Sequence, residues 1–457
     1  MNNRLTKTLK LAQLLLPVLG LVACTRGPGQ GSVALAPTAD FARLGTPVTG
    51  SYARGEALTT NSFNEAEGVG PVYNKNACKW CHSVGGVGGA GDVSNRVELF
   101  AAIRIGDDGL VNLRYPRDLN LLETLGGPIL HRGALGDNDR LPTQAEIDAA
   151  LGSPDYRLVR TARVGNPIFG TGLLSAVPNS QIVGYAAAQR QNPTAQALGI
   201  TGRVHYLDES HNVIGRLGWK AQVPSTLNFI AGASVEEIGL AHNRNLTENH
   251  PNAAATGAAR ADLSDGQFLD MLAFNNFVAP PAPTDQNDAR VRAGRAAFER
   301  AGCAVCHAAS PYTTGDSATA PLIPTAPGFA GDADLYRRES ALHNRRVNAF
   351  SDLLLHDMGV YLADGFNTGA VGDEDASAKG AEWKTAALWG LRLKKSYLHD
   401  GRTNDLGTAV RMHAGPDGSD SSSEAYKTIQ NYLGRPGGGA PLNATERDNL
   451  LRFLRSL

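Results

Sequence analysis

The sequence predicts a mainly α-helical fold in two similar units wrapped by long loops. Three observations carry that expectation. Apolar residues recur at helical spacing in several short stretches, strand-like runs are few, and one cysteine pattern, Cys-x-x-Cys-His, occurs once in each half of the chain. The 52 glycines and 24 prolines among 457 residues supply the loops.

In chain order, residues 1–23 come first. Arg4, Lys7 and Lys10 precede an apolar run from Leu11 to Ala23 that is interrupted by Pro17 and short for a membrane span. This is the layout of a secretory signal peptide. It ends at Leu21-Val22-Ala23-Cys24, which resembles a bacterial lipobox, so Cys24 is expected to be the acylated first residue of the mature chain. Thr25 after the cysteine favours the outer membrane, which implies a lipid-anchored body on the periplasmic side. Residues 24–50 read as a flexible Gly/Pro/Thr tether.

The unit expected over 51–280 contains Cys78-Lys79-Trp80-Cys81-His82, and the unit over 284–457 contains Cys303-Ala304-Val305-Cys306-His307. Both match the c-type haem attachment pattern. Thiols at i and i+3 lie on one side of a helical turn and can add to two vinyl groups on one porphyrin edge. A histidine at i+4 is then carried beneath the iron. With five cysteines and eleven histidines, chance predicts on the order of 0.001 such motifs, so two are decisive. Thioredoxin-like pairs and a four-thiolate zinc site have no use for the adjacent histidines. The expected fold is therefore mainly α, with two c-type cytochrome-like haem domains, long loops and two covalently attached haem c groups. The glycine string 86–91 formally matches G-x-G-x-x-G, but it follows a haem motif rather than a strand and reads as a mobile turn around the haem edge.

Between the two units, Ala279-Pro280-Pro281-Ala282-Pro283-Thr284 reads as a linker. The segment 288–302 has apolar residues at helical spacing and should deliver the second motif. Further helices are expected over 144–151, 179–190, 265–274, 346–353, 404–412, 424–433 and 444–456, with a strand-like run over 203–207. The balance of 43 basic and 44 acidic residues excludes the broad basic field of a nucleic-acid binder.

An iron that only shuttles electrons is closed by a second axial ligand, whereas one that activates peroxide keeps an open face. Candidates for the second haem are His343, His356, Met358, His399, Met412 and His413, and chemistry alone does not rank them. For the first haem, His242 and His250 are possible closing ligands. Glu123, His131 and Glu146 are weak candidates for a catalytic acid.

Several further segments make the chain similar to a known family. They are Pro167-Ile168-Phe169-Gly170-Thr171-Gly172, Gly215-Arg216-Leu217-Gly218-Trp219-Lys220, Ser351 to Gly359, Glu382-Trp383-Lys384-Thr385 and Tyr397-Leu398-His399-Asp400-Gly401-Arg402. With the haem motifs they resemble the di-haem oxidoreductase family of exported two-haem proteins, described as peroxidases and distantly related to bacterial di-haem cytochrome c peroxidases. The resemblance implies that the C-terminal haem takes its sixth ligand after the His-Asp-Gly turn, which by position is His413, giving two axial imidazoles. It implies electrons passing from that haem to an N-terminal haem that reduces hydrogen peroxide or a similar oxidant, supplied by a small c-type cytochrome or another periplasmic donor. Trp219, Trp383 and Trp389 become candidates for packing between or over the haems. Arg216, Lys220, Lys384 and Arg392 become candidates for pairing haem propionates, and His399 a brace for the loop or a propionate. The alternative is a non-catalytic electron-transfer lipoprotein serving a respiratory or iron-uptake assembly.

Overall fold

The computed structural model describes residues 41–45, 50–104, 129, 131–135, 143, 145, 156–208, 210–248, 256–257, 260–316, 340–365, 368–369 and 377–457. Its helices are α1 (Ser51–Thr60), α2 (Thr171–Ser175), α3 (Asn179–Gln191), α4 (Pro193–Leu198), α5 (Thr226–Ala233), α6 (Asp265–Phe277), α7 (Ala289–Ala301), α8 (Leu406–Arg411), α9 (Tyr426–Tyr432) and α10 (Ala444–Leu454). The architecture is mixed rather than purely helical. Among the described residues there are six two-stranded antiparallel ladders, of which the longest pairs Val97–Arg104 with Tyr156–Arg163.

The same arrangement occurs twice. Helix α1 packs on α6 and helix α7 packs on α10, and each contact is made at a glycine. A Cβ on Gly55 would come within 1.9 Å of the Asp270 carbonyl oxygen, and one on Gly294 within 1.9 Å of the Asn449 carbonyl oxygen. Only hydrogen at those positions lets the backbones approach so closely. Helix α7 starts where the Asp288 side chain accepts from the Arg290 and Val291 amides, and stops at Gly302 with φ 100°. Its buried face is Val291, Gly294, Ala297, Phe298 and Ala301, the stripe expected from sequence. A short 3₁₀ turn, Cys303–Val305, follows directly and carries the second motif; Cys78–Trp80 forms the matching turn of the first.

Two apolar clusters hold these pieces. The smaller joins α7, α10, Leu391 and Leu406. The larger includes Phe169, Leu227 and Phe274 but also Tyr312, Val347 and Leu354, so it draws on chain from both sides of residue 280. The proline-rich segment between is tied at both ends, by Ala279 N–H to the Ala42 carbonyl at 2.7 Å and Thr284 N–H to the Ser456 carbonyl at 2.7 Å.

Three expectations are corrected. Residues 346–353 do not form a helix: Arg346–Val347 pairs as a strand with Tyr312–Thr313, and Phe350 and Leu353 have φ of 53° and 58°. The apolar positions there, Val347, Ala349 and Leu353, are buried in the larger apolar cluster on an irregular backbone. Residues 203–207 make isolated bridges to Leu355 and Ile214 rather than a strand. The glycine string is a closed turn: Gly88 N–H donates to the His82 carbonyl, while the Gly88 carbonyl accepts from the Ile168 and Phe169 amides, all at 2.9 Å. The helix expected over 144–151 falls outside the described residues except at Ala145.

Candidate haem sites

Each Cys-x-x-Cys-His turn opens onto its own cavity. The second motif lines one of about 1370 Å3 including its mouth, the first one of about 2350 Å3 including its mouth. All four cysteines are free. Burial pushes Cys78 and Cys303 up to about 12 and Cys81 to about 11, which keeps them as neutral thiols. Because the two pairs line different cavities, they do not converge on one four-thiolate metal.

In the cavity of the second motif, two imidazoles are prepared in the same way. His307 Nδ1 donates to the Phe350 carbonyl at 2.9 Å, which the irregular backbone of 346–353 presents to it. His413 follows the end of α8, where the Thr408, Val410 and Arg411 carbonyls accept from the Met412, His413 and Ala414 amides, and its Nδ1 donates to the Ala409 carbonyl at 2.9 Å. A carbonyl can only accept, so in each ring the proton is on Nδ1 and the lone pair on Nε2. Burial lowers both pKa values, His307 to about 4, and both rings stay neutral. Their centroids are 6.4 Å apart, and half of that, roughly 3.2 Å, equals a metal–imidazole bond of ~2.0–2.1 Å plus ~1.1 Å from nitrogen to ring centre. The pair therefore fits a shared iron, with Cys303 and Cys306 on the same cavity wall.

The competing ligands are placed differently. His343 and Met412 line neither cavity. Met358 lines the cavity beside the pair. His356 also lines it, but its Nε2 meets Asp352 at 3.0 Å and its Nδ1 meets Glu424 at 2.8 Å. Burial opposes its charge, yet Cys306 and Asp352 outweigh burial and hold its pKa well above the usual value. An imidazolium has no lone pair for a metal, although Cys306, Asp352 and His356 lie within 4.8 Å of one another. His399 stacks on Trp383 at 3.9 Å between centroids, bracing the cavity wall.

The cavity of the first motif is built otherwise. Among its described lining residues His82 is the one imidazole. Burial lowers its pKa against backbone hydrogen bonds to Asn166 and Gly89, and the ring stays neutral. A neutral imidazole beside two neutral thiols is the donor set that a covalently held haem needs. Glu237 also lines this cavity, close to the motif's thiols, on a π-helical turn, Ser234–Ile238, that follows α5. Such turns cluster at functional sites. Burial pushes the Glu237 carboxyl up to about 7, with Asn74 donating to it at 2.5 Å. Sequence reasoning missed Glu237, since nothing distinguishes it from Glu236 without the π turn. His131 lies behind the cavity and contacts the Glu236 carbonyl at 2.8 Å through Nε2, so it braces this turn. His242 has both ring nitrogens bound to backbone and does not line the cavity. Glu123, Glu146, His250 and Cys24 lie outside the described residues.

A thin wall separates the cavities. Trp219, Lys384, Ala386, Ala387 and Lys394 line both. Trp219 is fixed by its Nε1 donating to the Val164 carbonyl at 2.8 Å, and its own carbonyl accepts from the Lys384 amide at 2.9 Å. The Gly-Trp-Lys and Glu-Trp-Lys segments thus dock on each other. Trp383 faces the second cavity and Trp389 the first. Of the other basic candidates, Arg216 lines the first cavity but donates to Val177 and Asn179. Lys220 lines neither cavity and donates to three carbonyls at 2.8 to 3.0 Å, and Arg392 lines neither and donates to the Leu457 carbonyl.

Residues 122–457 match the family model described as "Di-haem oxidoreductase, putative peroxidase". The chain belongs to the di-haem oxidoreductase family. Membership brings haem cofactors and a di-haem redox function. No curated protein matches. Among solved structures the chain is similar to hydrazine synthase of Kuenenia stuttgartiensis, with 11% identity, a TM-score of 0.36, and coverage of 96% of this chain and 100% of that one. It is also similar to a MauG-like protein associated with microbial copper homeostasis, with 13% identity, a TM-score of 0.30 and 90% of each chain covered. A third is the di-haem peroxidase BthA of Burkholderia thailandensis, with 15% identity, a TM-score of 0.33, and coverage of 90% of this chain and 86% of that one.

Proposed function

We propose that this protein is a di-haem peroxidase in which a closed, bis-histidine C-terminal haem passes electrons to an open N-terminal haem. The observation that carries the reading is the asymmetry of the two cavities. One presents two neutral imidazoles at 6.4 Å; the other, among its described lining residues, presents one imidazole and a carboxyl poised near neutrality. Bound haem supplies one-electron chemistry, and only an iron with an open face offers a site for an oxidant.

The residues divide the work as follows. Cys303 and Cys306 would attach the second haem, with His307 and His413 as the ligands of its iron; Cys78 and Cys81 would attach the first, with His82 as its ligand. Glu237 moves protons at its carboxyl oxygens as the peroxide is cleaved, with its turn supported by Asn74 and His131. Converting one peroxide to two waters takes two electrons and two protons, so two electrons must cross the wall per turnover. Trp219, in that wall, provides the aromatic route. The donor is a small c-type cytochrome or another periplasmic carrier. Cys24 carries the lipid that holds the protein on the periplasmic side of the outer membrane.

Electron paramagnetic resonance and visible spectra of the ferric and half-reduced protein test this reading. One low-spin six-coordinate haem and one haem that becomes five-coordinate, with peroxide turnover, are expected. Two six-coordinate haems in both states with no turnover would overturn it in favour of a non-catalytic carrier.

A further inference from the structure

Three basic side chains packed near the sites meet carboxylates, and two lysines of the shared wall do not. Arg163 meets Asp364 at 2.8 Å, Lys220 meets the same aspartate at 3.5 Å, and Arg203 meets Glu382 at 2.6 Å. Lys384 is only 9% exposed, yet its Nζ donates to nothing but the adjacent Thr385 carbonyl at 3.3 Å. Lys394 stands with it in the wall, with its Nζ 5.8 Å from the centre of the Trp219 ring. Among the described residues no carboxylate is within ion-pair distance of either lysine. Burial lowers both to about 8, and for Lys384 the charge of Lys394 adds to the effect. A buried ammonium, Lys384, next to a half-buried one, Lys394, is costly unless anions meet them. Both lysines face both cavities, so the missing anions can approach from either side.

We infer that Lys384 and Lys394 form one cationic clasp for carboxylates presented from both cavities, namely the propionates of the two haems, and that the clasp couples the reduction potentials of the two irons. This rests on the di-haem reading above. A positive charge near a haem favours the reduced iron, which carries one charge less. A lysine in contact with one haem would move one potential; a lysine shared by two must move both. The clasp also lies beside Trp219, so it orients the propionate edges toward the aromatic route.

The test uses the holo-protein with Lys384→Met, Lys394→Met and the double variant, and Arg392→Gln as a control that lines neither cavity. Methionine keeps the length and apolar character of the lysine stem, so the wall stays packed. The two midpoint potentials are followed by spectroelectrochemistry, and propionate contacts by the propionate bending bands in resonance Raman. Each lysine variant should lower both midpoints. In the double variant the reduced-to-oxidised ratio at fixed potential should fall about tenfold for both haems, ~59 mV for a one-electron couple. The propionate bands of both haems should shift, and Arg392→Gln should change neither readout. Midpoints that move for one haem only or not at all, with unshifted bands, would overturn the clasp while leaving two intact haems. Midpoints that follow added acetate at constant ionic strength, again with unshifted bands, would assign the lysines to a soluble anion and overturn it equally. A holo-protein with fewer than two haems would overturn the clasp and the di-haem reading together.

Discussion

The Glu237 carboxyl gives the sharpest prediction, because one substitution moves activity and stability in opposite directions. Glu237→Gln keeps the shape and the contact to Asn74, whose Nδ2 can donate to the new amide oxygen, but it removes the titrating proton. Burial raises the carboxyl from 4.5 to about 7. At ~1.4 kcal/mol per pH unit this corresponds to about 3 kcal/mol between its two protonation states. The folded pKa lies above the unfolded one, so the fold favours the protonated form. The penalty for ionising Glu237 is absent below about pH 4.5, grows between there and 7, and is complete above 7. Glutamine carries no such penalty. The variant should therefore match the parent protein in denaturant melts at pH 4 and exceed it by up to about 3 kcal/mol at pH 9. Peroxide turnover should fall by about 10²- to 10⁴-fold, the usual contribution of a positioned general acid or base, and the limb of the pH profile near 7 should vanish. Unchanged turnover would refute the catalytic assignment, and equal stability differences at pH 4 and pH 9 would refute the burial argument.

Three further outcomes follow from other parts of the molecule. His413→Ala should convert the second haem from low-spin six-coordinate to high-spin, read by electron paramagnetic resonance, whereas Met412→Ala should leave the spectrum unchanged because Met412 lines neither cavity. Gly294→Ala puts a methyl group where the Asn449 carbonyl lies 1.9 Å away, so α7 and α10 must separate; a loss of about 1–3 kcal/mol is expected in thermal or denaturant melts. Cys24→Ser should release the protein from membranes into the soluble periplasmic fraction with both haems retained, checked by fractionation and haem staining.

What the sequence revealed about the site depends on how local each feature is. Cys78, Cys81, His82 and their counterparts at 303–307 are legible because one helical turn contains the whole attachment chemistry. The buried face of α7 was equally plain, since Val291, Gly294, Ala297, Phe298 and Ala301 repeat at helical spacing. The segment 346–353 misled for a physical reason: its four apolar residues, Val347, Ala349, Phe350 and Leu353, fall at spacings that a helix would also use, while the left-handed backbone of Phe350 and Leu353 is invisible in composition. The ladder between 97–104 and 156–163 escaped because its partners are more than fifty residues apart, and charged residues such as Glu98 and Arg160 pair across it. Glu237 and Lys394 were missed for a related reason. Each is ordinary in its own stretch of chain and acquires meaning only from the cavity that other stretches complete.

The shared wall explains why the two motifs belong on one chain. The larger apolar cluster takes residues from both halves, and Trp219 of the first half hydrogen-bonds through its backbone to Lys384 of the second. Two separately folded carriers could drift apart on a flexible linker, and the distance between their irons would then vary. Here the cavities share lining side chains fixed by hydrogen bonds to backbone, and on the proposed reading this layer is the route between the haems. Loosening that layer should slow transfer between the haems before it affects either haem alone. Trp219→Phe separates the two effects: it removes the bond to the Val164 carbonyl and shrinks the aromatic bridge, but leaves His82, His307 and His413 untouched. Ferric spectra identical to those of the parent protein, together with slower reoxidation of the C-terminal haem by peroxide, would locate the route in the wall. Unchanged reoxidation would mean that electrons reach the first haem by another path.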